Sequence, residues 1–584
     1  MTITTTNIKK FAVFLGILCL FTLPQLNNIH FDPSPTMWAQ LTFAWVCIGL
    51  FIFIVVSYNS VSIPFITIPL GIFAIYMLIQ PLIVPISFVG LNYITALEML
   101  ITILLAISAN TIITHHGIKQ FMRYLCYSLI IGALLQSAIG LIQYNNWFKY
   151  FGGMIFYDAA HANSNIFGHF GQRNHYCHFI TWAVFGLIYL YQQKIIRSYI
   201  FIPLLFWFMF SITIAASRSV FIYLGLANLI TLFYLIAKKD KPSTRLFILT
   251  IVATLALVLF EYGYPLLQHL LTKQNITSGF NRITGSEGSE VGRRLVEWQK
   301  AIITFKAHPV FGAGLFAYAH NSVFLYQLFS HTPLNSGLFI NCHNLILQLL
   351  AETGIVGGLI IVIGLIIALV RLIQQATSEK IILLLMATTT LTHSMLEYPL
   401  WYLYFLGPLI LFLAVDKPII YLSRKLVIML ASLPILVLCY IMLSSSITFN
   451  RLVDYADTPD NLDKFKTQAT QLQDVIATKP LLAYFGIFVL DNYINPDNPF
   501  TNQTFTPKAA LNYERRFTLF QPYPANLIKL AKLEFNAGNQ DYAKQLVKIA
   551  VTAYPTYKYS LMQTLHSKKY KVLYNIIANT NSQL

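Results

Sequence analysis

Charged residues are scarce in this chain. Asp, Glu, Lys and Arg make up 10% of its 584 residues, where ordinary soluble domains carry about 25%. With 56% hydrophobic residues and a mean hydropathy of +0.62, that shortage excludes a soluble globular protein and predicts a polytopic membrane protein. Acids are the rarer sign, 22 against 39 basic residues, but the resulting charge of +17 is not distributed as a nucleic-acid surface, and no nucleic acid is expected as a partner. The cysteines (Cys19, Cys47, Cys126, Cys177, Cys342 and Cys439) lie in or beside apolar runs, with no C-x-x-C, so neither a disulfide framework nor a metal site is indicated. There is no phosphate-binding loop and no dinucleotide fingerprint. No cofactor is expected, and any energy for chemistry must arrive with the substrate. No small-residue cleavage site follows the first apolar run, which reads as an uncleaved span.

Apolar runs of membrane length are what the chain has in plenty. They fall near 11–27, 38–57, 62–82, 92–112, 124–143, 176–193, 198–215, 219–237, 246–263, 344–370, 380–398, 401–415 and 426–446. The expected fold is all-α, a polytopic membrane protein of about 13 transmembrane helices with a large outer loop and a C-terminal helical domain. Lys9, Lys10, Lys119, Arg123, Lys194, Arg197, Lys238, Lys239, Lys241, Arg245, Arg371, Lys380, Lys417, Arg424 and Lys425 lie at the N-terminus or in alternate connections. That pattern is the positive-inside signature. It places the N-terminus in the cytoplasm, and the long loop and everything after residue 447 outside. The chain then divides into N-terminal membrane helices (1–263), a large outer loop (264–343), C-terminal membrane helices (344–446) and an outer helical domain (447–584). Lys149, Arg173 and Arg218 break the charge rule in the shorter outer connections. Glu98, the one acid inside the five spans of residues 1–143, could serve a function or bond a neighbouring hydroxyl, and it receives no assignment.

The polar stretch from Tyr264 to Asn344 organises the rest. It collects Arg282, Arg293, Arg294, Trp298, Gly312, Gly314 and His320, and ends at Cys342-His343-Asn344. Loops longer than about 12–15 residues are uncommon unless they act as lids or sites. Within it, Val291, Leu295, Trp298, Ile302 and Phe305 recur at helical spacing and predict an amphipathic helix on the membrane surface or the helix bundle. That register sets Arg294 on the flank of the apolar face and turns Arg293 toward solvent. Asn281 to Ser286 is turn-rich and can bring Arg282 over the same point. Asn341 is a candidate N-cap, which would place His343 in the first helical turn, where the dipole favours a neutral imidazole able to accept a proton. Asn344, Gln348 and Glu352 fall on one stripe of that helix.

Other candidates lie on shorter connections. Residues 145–175 are rich in Gly and Asn and end at Gln172-Arg173-Asn174-His175, which reads either as donors to a sugar or phosphate or as a cap on the next helix. Arg218, between Ser217 and Ser219, either snorkels to lipid phosphate or binds an anion among small residues. His393 and Glu397 share a helix face at i, i+4, too few ligands for zinc. In the C-terminal region, 521–555 predicts a helical hairpin turning at Ala537-Gly538-Asn539, close to one tetratricopeptide-like unit, which must bury its face on neighbouring helices.

Together, Gln172-Arg173-Asn174-His175, Ser217-Arg218, Arg294-x-x-x-Trp298, Pro309-x-x-Gly312-x-Gly314, His343-Asn344 with Glu352, and His393-Ser with Glu397-Tyr398-Pro399-Leu400-Trp401 resemble the O-antigen ligase superfamily. The likeness is greatest to the PglL-type protein O-oligosaccharyltransferases, the pilin glycosylation ligases, and covers residues 160–415. Cys342 departs from the small residue or histidine expected before His-Asn. The resemblance implies a metal-independent inverting glycosyltransferase of the bacterial inner membrane, with its active site and C-terminal domain in the periplasm. Its donor would be an undecaprenyl-pyrophosphate-linked oligosaccharide and its acceptor a Ser or Thr hydroxyl of a pilin or other periplasmic protein. His343, Arg294, Arg218 and Arg282 would be catalytic; Gln172, Arg173, Asn174, His175, Asn344, Glu352, His393 and Glu397 would bind substrate. Ligation of O-antigen onto lipid A–core, or polymerisation of glycan repeats, uses the same donor. A transporter is the alternative of another class, but neither inverted repeats nor deep ionisable residues in broken helices stand out.

Overall fold

The computed structural model describes residues 5–272, 288–329, 337–374 and 376–579; Arg282 lies outside them. Each expected apolar segment is helical, but among the described residues nine helices, not about 13, are long and apolar enough to cross a membrane, or up to ten if one bent pair counts as a span. The difference lies in Thr67–Ile83, Arg173–Gln192, Ser378–Ser394 and Leu403–Leu413. Leu403–Leu413 has 11 residues, about half the length needed to cross a bilayer. Arg173–Gln192 is long enough, but 17 of its 20 residues are buried. Its surroundings are protein rather than lipid, which lets it carry His175, His178 and Gln192. An apolar run in the sequence does not separate a lipid-facing helix from a buried one.

By internal contacts the chain forms two compact units that do not follow chain order. The first comprises residues 1–72, 98–287 and 361–436. In it the Arg173–Gln192 helix is central, packed against Ile118–Tyr144, Ser198–Ala215, Lys241–Thr272 and Ser378–Ser394. The 145–172 connection is pinned to this bundle. Gln143 Oε1 accepts from the N–H groups of Phe167 and Gly168, and Gln136 Oε1 accepts from that of His169. Two buried glutamines of the preceding helix thus hold this glycine-rich connection close against the bundle. The only strands among the described residues, Ser60–Ile63 and Ile420–Ser423, pair antiparallel with Ser60 opposite Ser423.

The second unit comprises residues 73–97, 288–360 and 437–584. The expected hairpin forms from Pro524–Asn536 and Gln540–Ala553. It packs on Pro507–Thr518, with Arg515 donating two bonds of 2.6 and 2.8 Å to the Glu534 carboxylate. The loop 309–314 is threaded into a break in the Leu345–Ile373 helix. At Gly354 the backbone is non-helical (φ 64°, ψ −167°), and the exposed helix carbonyls and amides bond the loop instead. Ala313 N donates to Ala351 O, Gly314 N to Glu352 O, and Ile355 N to Pro309 O. Gln80 and Tyr76 close the same junction by donating to the carbonyls of Glu352 and Thr353. A Cβ on Gly354 would lie 2.3 Å from the Val310 carbonyl oxygen, and its φ/ψ region is essentially glycine-only. Gly354→Ala should therefore cost about 1–3 kcal/mol for the clash, with strain added. The checkable outcome is a lower thermal midpoint and lower yield in detergent.

Candidate active site

The Gly288–Ala307 helix carries the basic pair Arg293-Arg294. Its buried face centres on Val296, Glu297, Lys300, Ala301 and Thr304, while Leu295 and Ile302 are 49% and 38% exposed. This corrects the face expected from apolar spacing, because the interior side of the helix is built around an ion pair. Lys300 Nζ lies 2.9 Å from Glu297 Oε1, both side chains fully buried. Glu297 Oε2 accepts from the hydroxyls of Tyr318 and Ser322 at 2.8 and 2.7 Å, and Lys300 Nζ sits 3.1 Å from the Tyr326 ring centre. Burial pushes the Lys300 pKa down to about 8, against the pull of Glu297, and pushes the Tyr318 phenol well up. Lys300→Met would leave a buried, uncompensated carboxylate. The expected loss is about 3–5 kcal/mol of stability, with the double replacement Glu297→Leu/Lys300→Met less damaging than the single one; thermal unfolding of the three variants checks this.

The rotated register also corrects the arginines. Arg293, expected in solvent, has its guanidinium carbon 3.8 Å from the Phe339 ring centre, a close cation–π geometry. Phe339 in turn lies 5.7 Å, ring to ring, from His343. Arg293 is thus tied to the histidine's own segment, and the half-buried Arg294 is its neighbour on the helix.

His343 precedes its helix rather than opening it. The N-cap is Asn344, whose Oδ1 accepts from Leu347 N at 3.1 Å, and not Asn341 as expected. Asn341 Oδ1 accepts instead from His343 N, also at 3.1 Å. That turn holds His343 at φ 55°, a left-handed conformation uncommon for a non-glycine residue. The consequence is a change of side. Cys342 is buried against Ala301, Tyr318 and Ala351, with its N–H on Gln348 Oε1, while His343 is half-exposed. Cys342 is tolerated before the His-Asn pair because a small thiol fits that core. Glu352, buried, accepts from Tyr318 N at 3.2 Å. Of the stripe Asn344, Gln348 and Glu352, the last two fix neighbouring loops, while Asn344 caps its own helix.

In the first unit a second set of expected residues meets. Asn174 does not cap its helix. Its Nδ2 donates to Glu397 Oε1 at 3.3 Å and its Oδ1 accepts from Ser217 Oγ at 2.8 Å, which joins the residue before Arg218 to Glu397. Gln172 takes the N-cap position with no side-chain cap bond, and Arg173 donates to Asn165 Oδ1 at 2.9 Å. Arg218 is half-buried where the Ser219–Lys238 helix begins. The helix from Ser378 ends at Ser394, so Glu397 does not share a helix face with His393; it lies beyond the end, with its N–H on the His393 carbonyl. His175 and His393 are buried with ring centres 5.1 Å apart. His178, passed over in the sequence, bonds His393 Nδ1 to Nδ1 at 2.9 Å. Its spacing of three from His175 on one helix was the available signal. For Glu297 and Lys300 there was only an i, i+3 pair, which ordinarily faces water.

Three family comparisons match. One described as O-Antigen ligase covers residues 182–362, one described as Protein glycosylation ligase covers 166–191, and one described as Virulence factor membrane-bound polymerase, C-terminal, covers 381–567. Between them they span Gln172 to His175, Arg218, Arg294, His343, His393 and Glu397. The chain is 27% identical over 292 residues to the General O-oligosaccharyltransferase of Acinetobacter baylyi, covering 48% of each chain. It is 25% identical over 411 residues to the ComP-specific O-oligosaccharyltransferase of the same organism, covering 69% of this chain and 70% of that one. The match thus spans about half the length of the first relative.

Proposed function

We infer that this chain, which belongs to the O-antigen ligase family, is a protein O-oligosaccharyltransferase. It would move a preassembled glycan in one piece from undecaprenyl pyrophosphate to Ser or Thr hydroxyls of a pilin or other periplasmic protein. The observation that carries this is His343, turned out of its core by a left-handed backbone and adjoined, through Phe339, by a basic helix. In the proposed reaction the acceptor oxygen attacks the anomeric carbon and His343 takes its proton. The bond from that carbon to the phosphate oxygen breaks on the opposite face, so configuration inverts. The electron pair leaves with the lipid pyrophosphate, whose growing charge is met by Arg218, Arg282 and Arg294 through charge-assisted hydrogen bonds. Gln172, Arg173, Asn174, His175, Asn344, Glu352, His393 and Glu397 would bind or frame the substrates.

The proposed setting is the bacterial inner membrane, with this chemistry and the C-terminal region on the periplasmic side. A cysteine label at Lys239 should then react only from the cytoplasm, and one at Asn579 only from outside. The function itself is tested by intact-mass analysis of periplasmic and pilus proteins from cells lacking the chain and from complemented cells. A whole-oligosaccharide increment present only in the complemented cells is expected, and its absence would remove the protein acceptor. The polymerase-like match over 381–567 favours one second reading, the joining of glycan repeats, which would instead show as longer carrier-linked glycans in the complemented cells.

A further inference from the structure

The second unit contains an open cleft of about 490 Å³, within the range of about 300–1,000 Å³ typical of small-molecule sites. Its wall is the strained continuation of the loop threaded into the Leu345–Ile373 helix. Gly314 has φ 101° and Phe316 φ 61°, and a bulky residue in the left-handed region persists only when its surroundings hold it there. Here the Gly314 N–H is bonded to Glu352 O and the Ala317 N–H to Gly314 O. Phe88 and Phe520, with ring centres 5.2 Å apart, line the cleft together with Phe316.

The polar lining is specific about what it can receive. Among the described residues none that line the cleft is Asp, Glu, Lys or Arg. His320 Nδ1 lies 3.2 Å from the Thr518 carbonyl. A carbonyl only accepts, so Nδ1 carries the proton. Burial lowers the pKa of this imidazole, more than the Thr518 bond raises it, which leaves it neutral with a lone pair on Nε2. Beside it, Asn321 Nδ2 donates one N–H to the Ala317 carbonyl at 3.1 Å, which leaves its second N–H as a donor and Oδ1 as an acceptor. The cleft therefore offers neutral donors and acceptors, with Ser87 and His308 also in its lining, and aromatic surface. A phosphate meets no Lys or Arg among the lining residues, and the nearby Arg516 guanidinium is taken up by the Phe88 ring and the Ser87 carbonyl. An extended peptide backbone brings no ring-sized C–H face. A neutral sugar brings hydroxyl donors on its edges and an apolar C–H face for the rings.

We propose that the cleft walled by Phe88, Phe316 and Phe520 and edged by His320 and Asn321 is a carbohydrate subsite that holds uncharged sugar units of the glycan, apart from its pyrophosphate end. This rests on the glycosyl-transfer function above and adds a specificity determinant to it: the protein selects donors by sugars as well as by the carrier. None of these residues needs to touch the reacting atoms.

The test uses the full-length protein in detergent and, as probe, the oligosaccharide released by mild acid from the strain's own carrier-lipid pool and dephosphorylated. Saturation-transfer NMR should show the free oligosaccharide in contact with aromatic protons of the protein. Phe316→Ala and His320→Leu, with thermal midpoints checked, should weaken its binding about tenfold or more. In transfer assays the KM for the full-length donor should rise about tenfold while kcat falls much less, a loss of binding remote from the reacting bond. For a carrier bearing a single sugar, the variants and wild type should have the same KM. Normal oligosaccharide binding by both variants overturns the proposal, as does a benzoylphenylalanine crosslinker at Leu519 that captures acceptor protein and not glycan. Wild-type protein that binds the oligosaccharide at Phe316 but transfers nothing would leave the subsite standing and remove the transferase function. Active wild type whose KM is indifferent to Phe316 and His320 would do the reverse.

Discussion

Replacing His343 with Ala should lower the transfer rate roughly 10²–10⁴-fold, the usual cost of losing a general base, while the protein still inserts and binds lipid-linked donor. Backbone strain needs a control. At φ 55° alanine occupies a conformation that costs non-glycine residues about 1–2 kcal/mol, whereas Asn visits it readily. His343→Asn should therefore match wild type in thermal midpoint and still be nearly inactive. His343→Gln keeps a hydrogen bond but accepts no proton at neutral pH, so it should be almost as poor. Near-normal transfer by His343→Gln would mean that the residue only positions substrate, and the base would have to be sought at Glu352, His175 or His393.

The second large effect is expected at Arg218. Arg218→Ala should cut transfer by about 10²–10³, the cost of removing one donor from a developing anion. Arg218→Lys should recover little where the guanidinium binds in bidentate fashion. Because Asn174 joins Ser217 to Glu397, Asn174→Ala should reproduce part of the loss without touching a charge. Arg282→Ala and Arg294→Ala should fall in the same range. Arg293→Ala should not be mild, since its guanidinium is stacked on Phe339 beside His343. Small, equal effects at all the arginines would reduce the basic loop to a diffuse attractor for the carrier.

Much of this was legible in the residues. Period and length located the apolar helices up to residue 454 but not Ala483–Asp491, and Pro309, Gly312 and Gly314 stood out as residues without any sign of their contacts with Glu352 and Gly354. The errors have separate physical causes. Apolar spacing placed the buried side of the Gly288–Ala307 helix along Leu295 and Ile302, since a fully buried Lys300–Glu297 pair looks in sequence like two solvated charges. That shift sent Arg293 to solvent when it belongs on Phe339. The N-cap was assigned to Asn341 because Asn341 and Asn344 are chemically equal candidates, and only the backbone turn at His343 separates them. Leu403–Leu413 passed for a span because burial in protein and burial in lipid ask for the same side chains. The bonds of Asn174 to Ser217 and Glu397 join residues far apart in sequence, and no local pattern announces them.

The most direct measurement is transfer by the purified protein in vesicles that contain carrier-linked oligosaccharide, with a purified pilin as acceptor and EDTA present. Expected is a pilin heavier by one whole oligosaccharide, an inverted linkage, and one lipid pyrophosphate released per glycan transferred, with His343→Asn protein giving almost none. Contradiction would be a wild-type preparation that leaves the pilin mass unchanged while the carrier-linked glycan is consumed, or a His343→Asn protein that transfers as fast as wild type.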